Sequence, residues 1–127
     1  MSRLDRIFST AGEENRTVVS IYLTVGFPSL DASLELARAA LAGGAELLEI
    51  GVPFSDPLAD GATIQLAGQR ALAQGMTLDR TLDIARDLRK TDDKTPIVMM
   101  GYYNPIHSRG VNRFLEQARE AGIDGLI

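Results

Sequence analysis

The 127-residue sequence contains no cysteine and no tryptophan, and a single histidine, His107. Without thiols there is no disulfide, no thiolate metal site and no cysteine nucleophile. One imidazole cannot build a multi-histidine metal centre and leaves little room for a Ser-His-Asp triad, so no metal is expected. A clustered basic face is also missing. Thirteen Lys and Arg stand against seventeen Asp and Glu, a net charge of −4, which argues against nucleic acid as a partner. The densest basic stretch, Arg86 to Lys90, is interrupted by Asp87 and Leu88 and reads as a solvated helix face. No apolar run approaches the roughly 20 residues of a membrane helix. The longest, Ile97 to Tyr103, contains Gly101. Near the N-terminus, Arg3, Asp5, Arg6, Glu13, Glu14 and Arg16 are not separated by an apolar stretch of signal-peptide type, so neither a secretory signal nor a transit peptide is expected.

What is present is enough for a core. Hydrophobic residues make up 45% of the chain, which suits a soluble, cytoplasmic, globular domain covering residues 1–127. After an amphipathic start (Leu4, Ile7, Phe8), Val18 to Val25 is rich in β-branched and aromatic residues and stops at Gly26-Phe27-Pro28, predicting a strand. Ser29 or Asp31 sits where a helix cap belongs, and Leu30, Leu34, Ala37 and Leu41 form one helical stripe ending at Gly43-Gly44. Glu46 to Ile50 predicts a second strand. Gly51 to Gly61 is a long turn-rich loop, followed by a helix over Ala62 to Gln74. Thr77 can cap a further helix with Leu78, Leu82, Ala85 and Leu88 on its apolar face. Ile97 to Gly101 predicts a third strand and Tyr102 to Gly110 a long loop. Phe114, Ala118 and Ala121 mark a last helix ending at Gly122, before a fourth strand from Asp124 to Ile127.

Strands alternating with helices imply right-handed βαβ units and a parallel sheet. Continuous apolar runs fit strands covered on both faces. Gly44-Ala45-Glu46-Leu47-Leu48-Glu49 is faintly echoed by Gly122-Ile123-Asp124-Gly125-Leu126-Ile127, as in a barrel assembled from similar quarters. Four strand-helix starts fit half of a (β/α)8 TIM barrel, which typically takes about 250 residues. A flavodoxin-like sheet wants a fifth strand that this sequence does not offer. The expectation is therefore a half-barrel, cut in or after its fourth strand.

Glu49 interrupts its own apolar strand, between Leu48 and Ile50. It lies near the C-terminal strand end, where barrels gather their catalytic groups. Pointing inward there, a buried carboxyl is raised from its ordinary range near 4.3 and suited to pass a proton at neutral pH. The bland alternative is a Glu paired with a neighbouring base, or exposed on an edge strand. The loop that follows is longer than the 2–6 residues usual for a βα connection. It can hold Asp60 over the barrel mouth while presenting Phe54 and Leu58 outward as a protein contact. Equally, Asp56 and Asp60 can be turn formers, or Asp60 the cap of the next helix.

The run Leu48-Glu49-Ile50-Gly51-Val52-Pro53-Phe54-Ser55-Asp56-Pro57-Leu58-Ala59-Asp60-Gly61 resembles the signature of the tryptophan synthase alpha chain family. Thr24-Val25-Gly26-Phe27-Pro28 and Tyr102-Tyr103-Asn104-Pro105 extend the likeness to the ends of the first and third strands. The resemblance implies a lyase of tryptophan biosynthesis that splits indole-3-glycerol phosphate into indole and glyceraldehyde 3-phosphate without metal or organic cofactor. Indole then passes to a beta chain, which holds pyridoxal phosphate, in an alpha2beta2 heterotetramer. By the same motif, Glu49 matches the catalytic acid-base and Asp60 the second carboxylate. Tyr22, Ile64, Met100, Tyr102 and Ile127 match indole-lining positions, and the bland alternative for each, Met100 above all, is core filling. Tyr22 stands where the family often has phenylalanine, so its hydroxyl needs a partner. Pro53, Phe54, Asp56, Leu58 and Asn104 match the beta-chain contact, and His107 falls on the same predicted loop.

The phosphate group in such barrels is commonly held by the loops after strands seven and eight. Those have no counterpart here, so the chain by itself is expected to be inactive. Two other readings compete. One is a catalytically silent half-barrel acting as a folding or association module. The other is a barrel enzyme acting on a different phosphosugar, against which the Glu49 to Gly61 signature speaks.

Overall fold

Burial of one apolar stripe per helix against a sheet organises the chain, which a computed structural model describes over residues 1–127. The strands β1 (Ser20–Thr24), β2 (Leu47–Gly51), β3 (Ile97–Met100) and β4 (Gly125–Leu126) form one sheet in that order. All three pairings are parallel. Helix α1 (Arg3–Glu13) precedes the sheet, and α2 (Leu30–Ala42) crosses from β1 to β2. The pair α3 (Ala62–Ala73) and α4 (Leu78–Arg89) leads to β3, and α5 (Tyr103–Arg109) with α6 (Val111–Glu120) leads to β4. This is the succession of βα units expected for a half-barrel.

The two faces of the sheet differ in chemistry. Leu48, Ile50, Ile97 and Met99 point to one face and pack with Leu82, Leu88 and Phe114 of the helices in a single core. Leu48, Ile50 and Phe114 are fully buried, and burying a side chain of this size contributes about 1.5–3 kcal/mol. The other face carries Tyr22, Glu49, Val98 and Gly125 side by side in register. Thr24, Gly51 and Met100 form the next row toward the C-terminal strand ends.

Local signals act much as the sequence suggests. Ser29 and Thr77 accept N–H bonds from Ala32 and Arg80 and cap α2 and α4. The internal echo is real in backbone terms. Gly44 and Gly122 both take positive φ, +100° and +80°. The next residue in each case, Ala45 or Ile123, donates its N–H back to Ala40 or Ala118. Glu46 and Asp124 then donate their N–H groups to the neighbouring strand, at Val19 and Ile97.

Several boundaries shift. The amphipathic start is a full helix, α1, closed by a reciprocal capping box between Ser2 and Asp5. The stretch Tyr102 to Gly110, expected as loop, contains α5 instead. Pro105 lies in the first helical turn, where a missing N–H costs nothing, so it does not break the helix. β4 is only Gly125–Leu126, although backbone bonds to β3 run from Asp124 N–H to Ile127 C=O. Glu46 lies just outside β2, where its carboxylate binds Arg16 at 2.6 Å and the Val19 N–H.

Asp124 has a role that its place at a strand start did not suggest. Its carboxylate accepts from Arg3 at 2.9 Å, from Arg89 at 2.7 Å and from the Ile97 N–H at 2.9 Å. Arg89 also donates to the carbonyls of Gly122, Asp92 and Thr95. This cluster locks the N-terminal ends of β3 and β4 to the C-terminal end of α4, far from the C-terminal strand ends.

Candidate functional site

Alternation along β2 sends Leu48 and Ile50 into the helix-packed core and Glu49 to the opposite face. Sequence reasoning expected a buried Glu49; it is half-buried. Its partner is not a basic residue. The Ser20 hydroxyl donates to Glu49 Oε1 at 2.7 Å.

Beside it in register, Tyr22 leans the other way, toward the C-terminal strand ends. Its ring crosses the backbone of Gly51, where a Cβ would lie only 2.5 Å from Tyr22 Cζ. Only glycine leaves room for this ring position. The tyrosine hydroxyl finds the partner it needs, because the Thr24 hydroxyl donates to Tyr22 Oη at 3.4 Å. Burial pushes the Tyr22 phenol above its ordinary range, and the charges of Asp60 and Glu49 add to this against the lowering bond from Thr24. Tyr22 therefore stays protonated near neutrality, with both carboxylates close enough to act on it. Gly51→Ala is expected to force the ring out of place and cost about 1–3 kcal/mol, measured by denaturant unfolding. Adding Tyr22→Ala should recover part of that loss, and an additive double mutant would show that the two residues do not compete for the space.

The loop after β2 is tied down from three sides. The Tyr102 hydroxyl accepts the Ala59 N–H at 2.9 Å. Phe54 stacks on the Tyr102 ring, with centroids 5.0 Å apart and planes at 27°. Gln65, in the first turn of α3, donates its amide to the carbonyls of Pro57 and Asp60 at 3.1 and 2.9 Å. Gln65 was not among the sequence candidates. Its signal is an amide side chain one helical turn after the loop, and that pattern is common enough to pass unnoticed.

Asp60 does not cap α3. Gly61 occupies the cap position and no side chain bonds the helix start. The Asp60 carboxylate instead lines a cleft of about 180 Å³ with Tyr22, Val52, Met100, Tyr102 and Ile127. Four of the five indole-lining candidates and the second carboxylate thus meet at one place. Ile64, in α3, is half-buried and outside the lining. Glu49 is also outside the lining. No group of three or more His, Cys, Asp or Glu residues is arranged to hold a metal ion, and no helix is long and apolar enough to cross a membrane.

The contact candidates are less uniform than expected. Leu58 is 92% exposed. Phe54, expected to face outward, is half-buried, because its ring is worth more stacked on Tyr102 than in water. Pro53 is half-buried, and Asp56 is exposed and accepts the Ser55 hydroxyl. Asn104 and His107 lie exposed on α5 rather than on a loop, with His107 tilted against Tyr103 at 5.7 Å.

Four parallel βα units with polar groups at the C-terminal ends of the strands define the class as half of a (β/α)8 barrel of the enzyme type. A family model described as tryptophan synthase alpha chain matches residues 8–127. The chain belongs to the tryptophan synthase alpha chain family, a family of lyases. It is similar to tryptophan synthase subunit alpha from Legionella pneumophila, at 41% identity and a TM-score of 0.97 over 99% of this chain and 48% of that one. A structure from Aquifex aeolicus is 41% identical with a TM-score of 0.96, over 100% of this chain and 50% of that one. The aminoacrylate-bound tryptophan synthase of Mycobacterium tuberculosis is 34% identical with a TM-score of 0.93, over 99% and 51%. The chain spans about half the length of these solved relatives.

Proposed function

We propose that this chain supplies one half of the active site of an indole-3-glycerol phosphate lyase in tryptophan biosynthesis. The supporting observation is the cleft at the C-terminal strand ends, where an apolar wall of Met100, Tyr102, Val52 and Ile127 meets the unpaired Asp60 carboxylate. An indole ring needs such a wall and one acceptor for its N–H. Glu49, one register row below on the same face, is the proton carrier.

In the reaction, protonated Glu49 gives its proton to indole C3, and positive charge builds on the ring nitrogen. Asp60 accepts the indole N–H and stabilises that charge. The bond from C3 to the glycerol carbon then breaks, its electrons restore the aromatic ring, and the adjacent hydroxyl becomes the aldehyde. The hydroxyl proton returns to Glu49, so the carrier ends as it began. Proton exchange between Glu49 and the substrate, with Asp60 holding the indole N–H, suffices, and we assign no metal or organic cofactor to this chain. Pyridoxal phosphate belongs to the beta chain that we propose as partner, docking through Leu58, Asp56, Pro53, Phe54 and Asn104. The setting is cytoplasmic.

The test is indole release from indole-3-glycerol phosphate by this chain, alone and combined with the complementary half of a family barrel. No release alone and release with both halves is expected, because a phosphate grip usually comes from the later loops. Association of the halves without release would favour the silent association module, which the two outer strands of an open sheet also suit.

A further inference from the structure

Glu49 and Tyr22 are neighbours in register on one face, yet their side chains lean in opposite directions. The Tyr22 ring runs over Gly51 toward the C-terminal strand ends and enters the cleft with Asp60. Glu49 reaches back to Ser20, two residues before Tyr22 on β1, whose hydroxyl holds Oε1 at 2.7 Å. Glu49 is absent from the cleft lining, while Tyr22, which lies beside it, is part of that lining. The carboxylate is thus tied toward the N-terminal end of the sheet.

We infer that Ser20 is a positioning residue that holds Glu49 withdrawn from the cleft, so that the Ser20–Glu49 bond must break before Glu49 reaches a substrate. The inference rests on the proposed role of Glu49 in proton transfer. The two positions of Glu49 are alternative rotamers of one side chain, and a bond made in only one of them biases the population toward it. A typical intramolecular hydrogen bond is worth enough to change that population by about two- to tenfold. A substrate drawing Glu49 forward has to overcome this bias in every turnover. Ser20 does not line the cleft and its hydroxyl bonds Glu49, so it acts through Glu49.

The experiment compares wild type, Ser20→Ala and Ser20→Thr in the protein with its barrel complete. Indole release gives kcat and KM. Nuclear Overhauser contacts from the Glu49 side chain, to residue 20 or to the Tyr22 and Tyr102 rings, report its position without turnover. Ser20→Ala is expected to raise kcat about two- to tenfold with little change in KM and to move the Glu49 contacts toward the rings. Ser20→Thr, which keeps the hydroxyl, is expected to behave as wild type in both readouts. A fall in kcat in Ser20→Ala, with Ser20→Thr normal, would show that Ser20 presents Glu49 to the substrate and would overturn the inference. So would unchanged contacts in Ser20→Ala. If wild type releases no indole while the contacts still shift in Ser20→Ala, the assigned reaction fails and the withdrawn position of Glu49 stands.

Discussion

Glu49→Gln in the protein with a complete barrel is expected to lower indole release by about 10²–10⁴-fold. A positioned proton carrier contributes this much, and an amide can neither protonate indole C3 nor accept the hydroxyl proton afterwards. Folding should be unaffected, because glutamine has the same shape and still offers an oxygen to the Ser20 hydroxyl, the one hydrogen bond the Glu49 side chain makes. The far-UV spectrum and the unfolding midpoint should therefore match wild type. Asp60→Asn should also reduce kcat, but by less, since an amide oxygen still accepts the indole N–H without its charge. Turnover of Glu49→Gln within threefold of wild type would refute its assignment as the proton carrier.

The largest effect on stability is expected far from the cleft. Asp124→Ala should destabilise the fold by about 3–5 kcal/mol, the usual cost of removing one partner of a buried ion pair. The side chains of Asp124 and Arg89 are 7% and 13% exposed, so water cannot replace the lost partner. Burial and the nearby Arg3 charge already hold the Arg89 guanidinium below its ordinary range, and Asp124 pulls against both. With Asp124 gone, Arg89 and Arg3 would face each other with no anion between them, and the Ile97 N–H would lose its acceptor. Asp124→Asn keeps one acceptor oxygen and should lose roughly half as much. Urea unfolding of the two variants distinguishes these outcomes, and a loss below about 1 kcal/mol for Asp124→Ala would mean that Arg89 finds sufficient compensation in its four hydrogen bonds to three carbonyls.

The order of elements was legible in local sequence because each one rests on nearest-neighbour physics. The stripe Leu30, Leu34, Ala37 and Leu41 with Ser29 before it and Gly43-Gly44 after it is a complete helix instruction, and α2 follows it closely. The apolar residues at 47–51 and 97–100 fit strands of a parallel sheet packed under helices, as Leu48, Ile50, Ile97 and Met99 are. The position of Glu49 opposite Leu48 and Ile50 also followed from alternation alone. Where a signal was shared by two structures, sequence was a weaker guide. Tyr102 to Gly110 reads as a long loop, yet it holds α5, with Pro105 in the first turn, where proline is tolerated.

The sequence by itself determined the succession of βα units, the family signature and the residue types available for proton chemistry. The tertiary structure decided which of those residues meet. Asp60 lies eleven positions from Glu49 and could have capped α3, but Tyr102, 43 positions beyond Ala59, joins the nearby Gln65 in fixing the loop, and Asp60 lines the cleft with Tyr22 and Met100. Ser20 and Asp124 gained their roles only through strand pairing, which puts a hydroxyl within reach of Glu49 and a carboxylate between Arg3 and Arg89. Local propensity acts over a few residues. A hydrogen bond between residues 29 or 35 positions apart depends on register and crossover geometry, which the whole sheet sets.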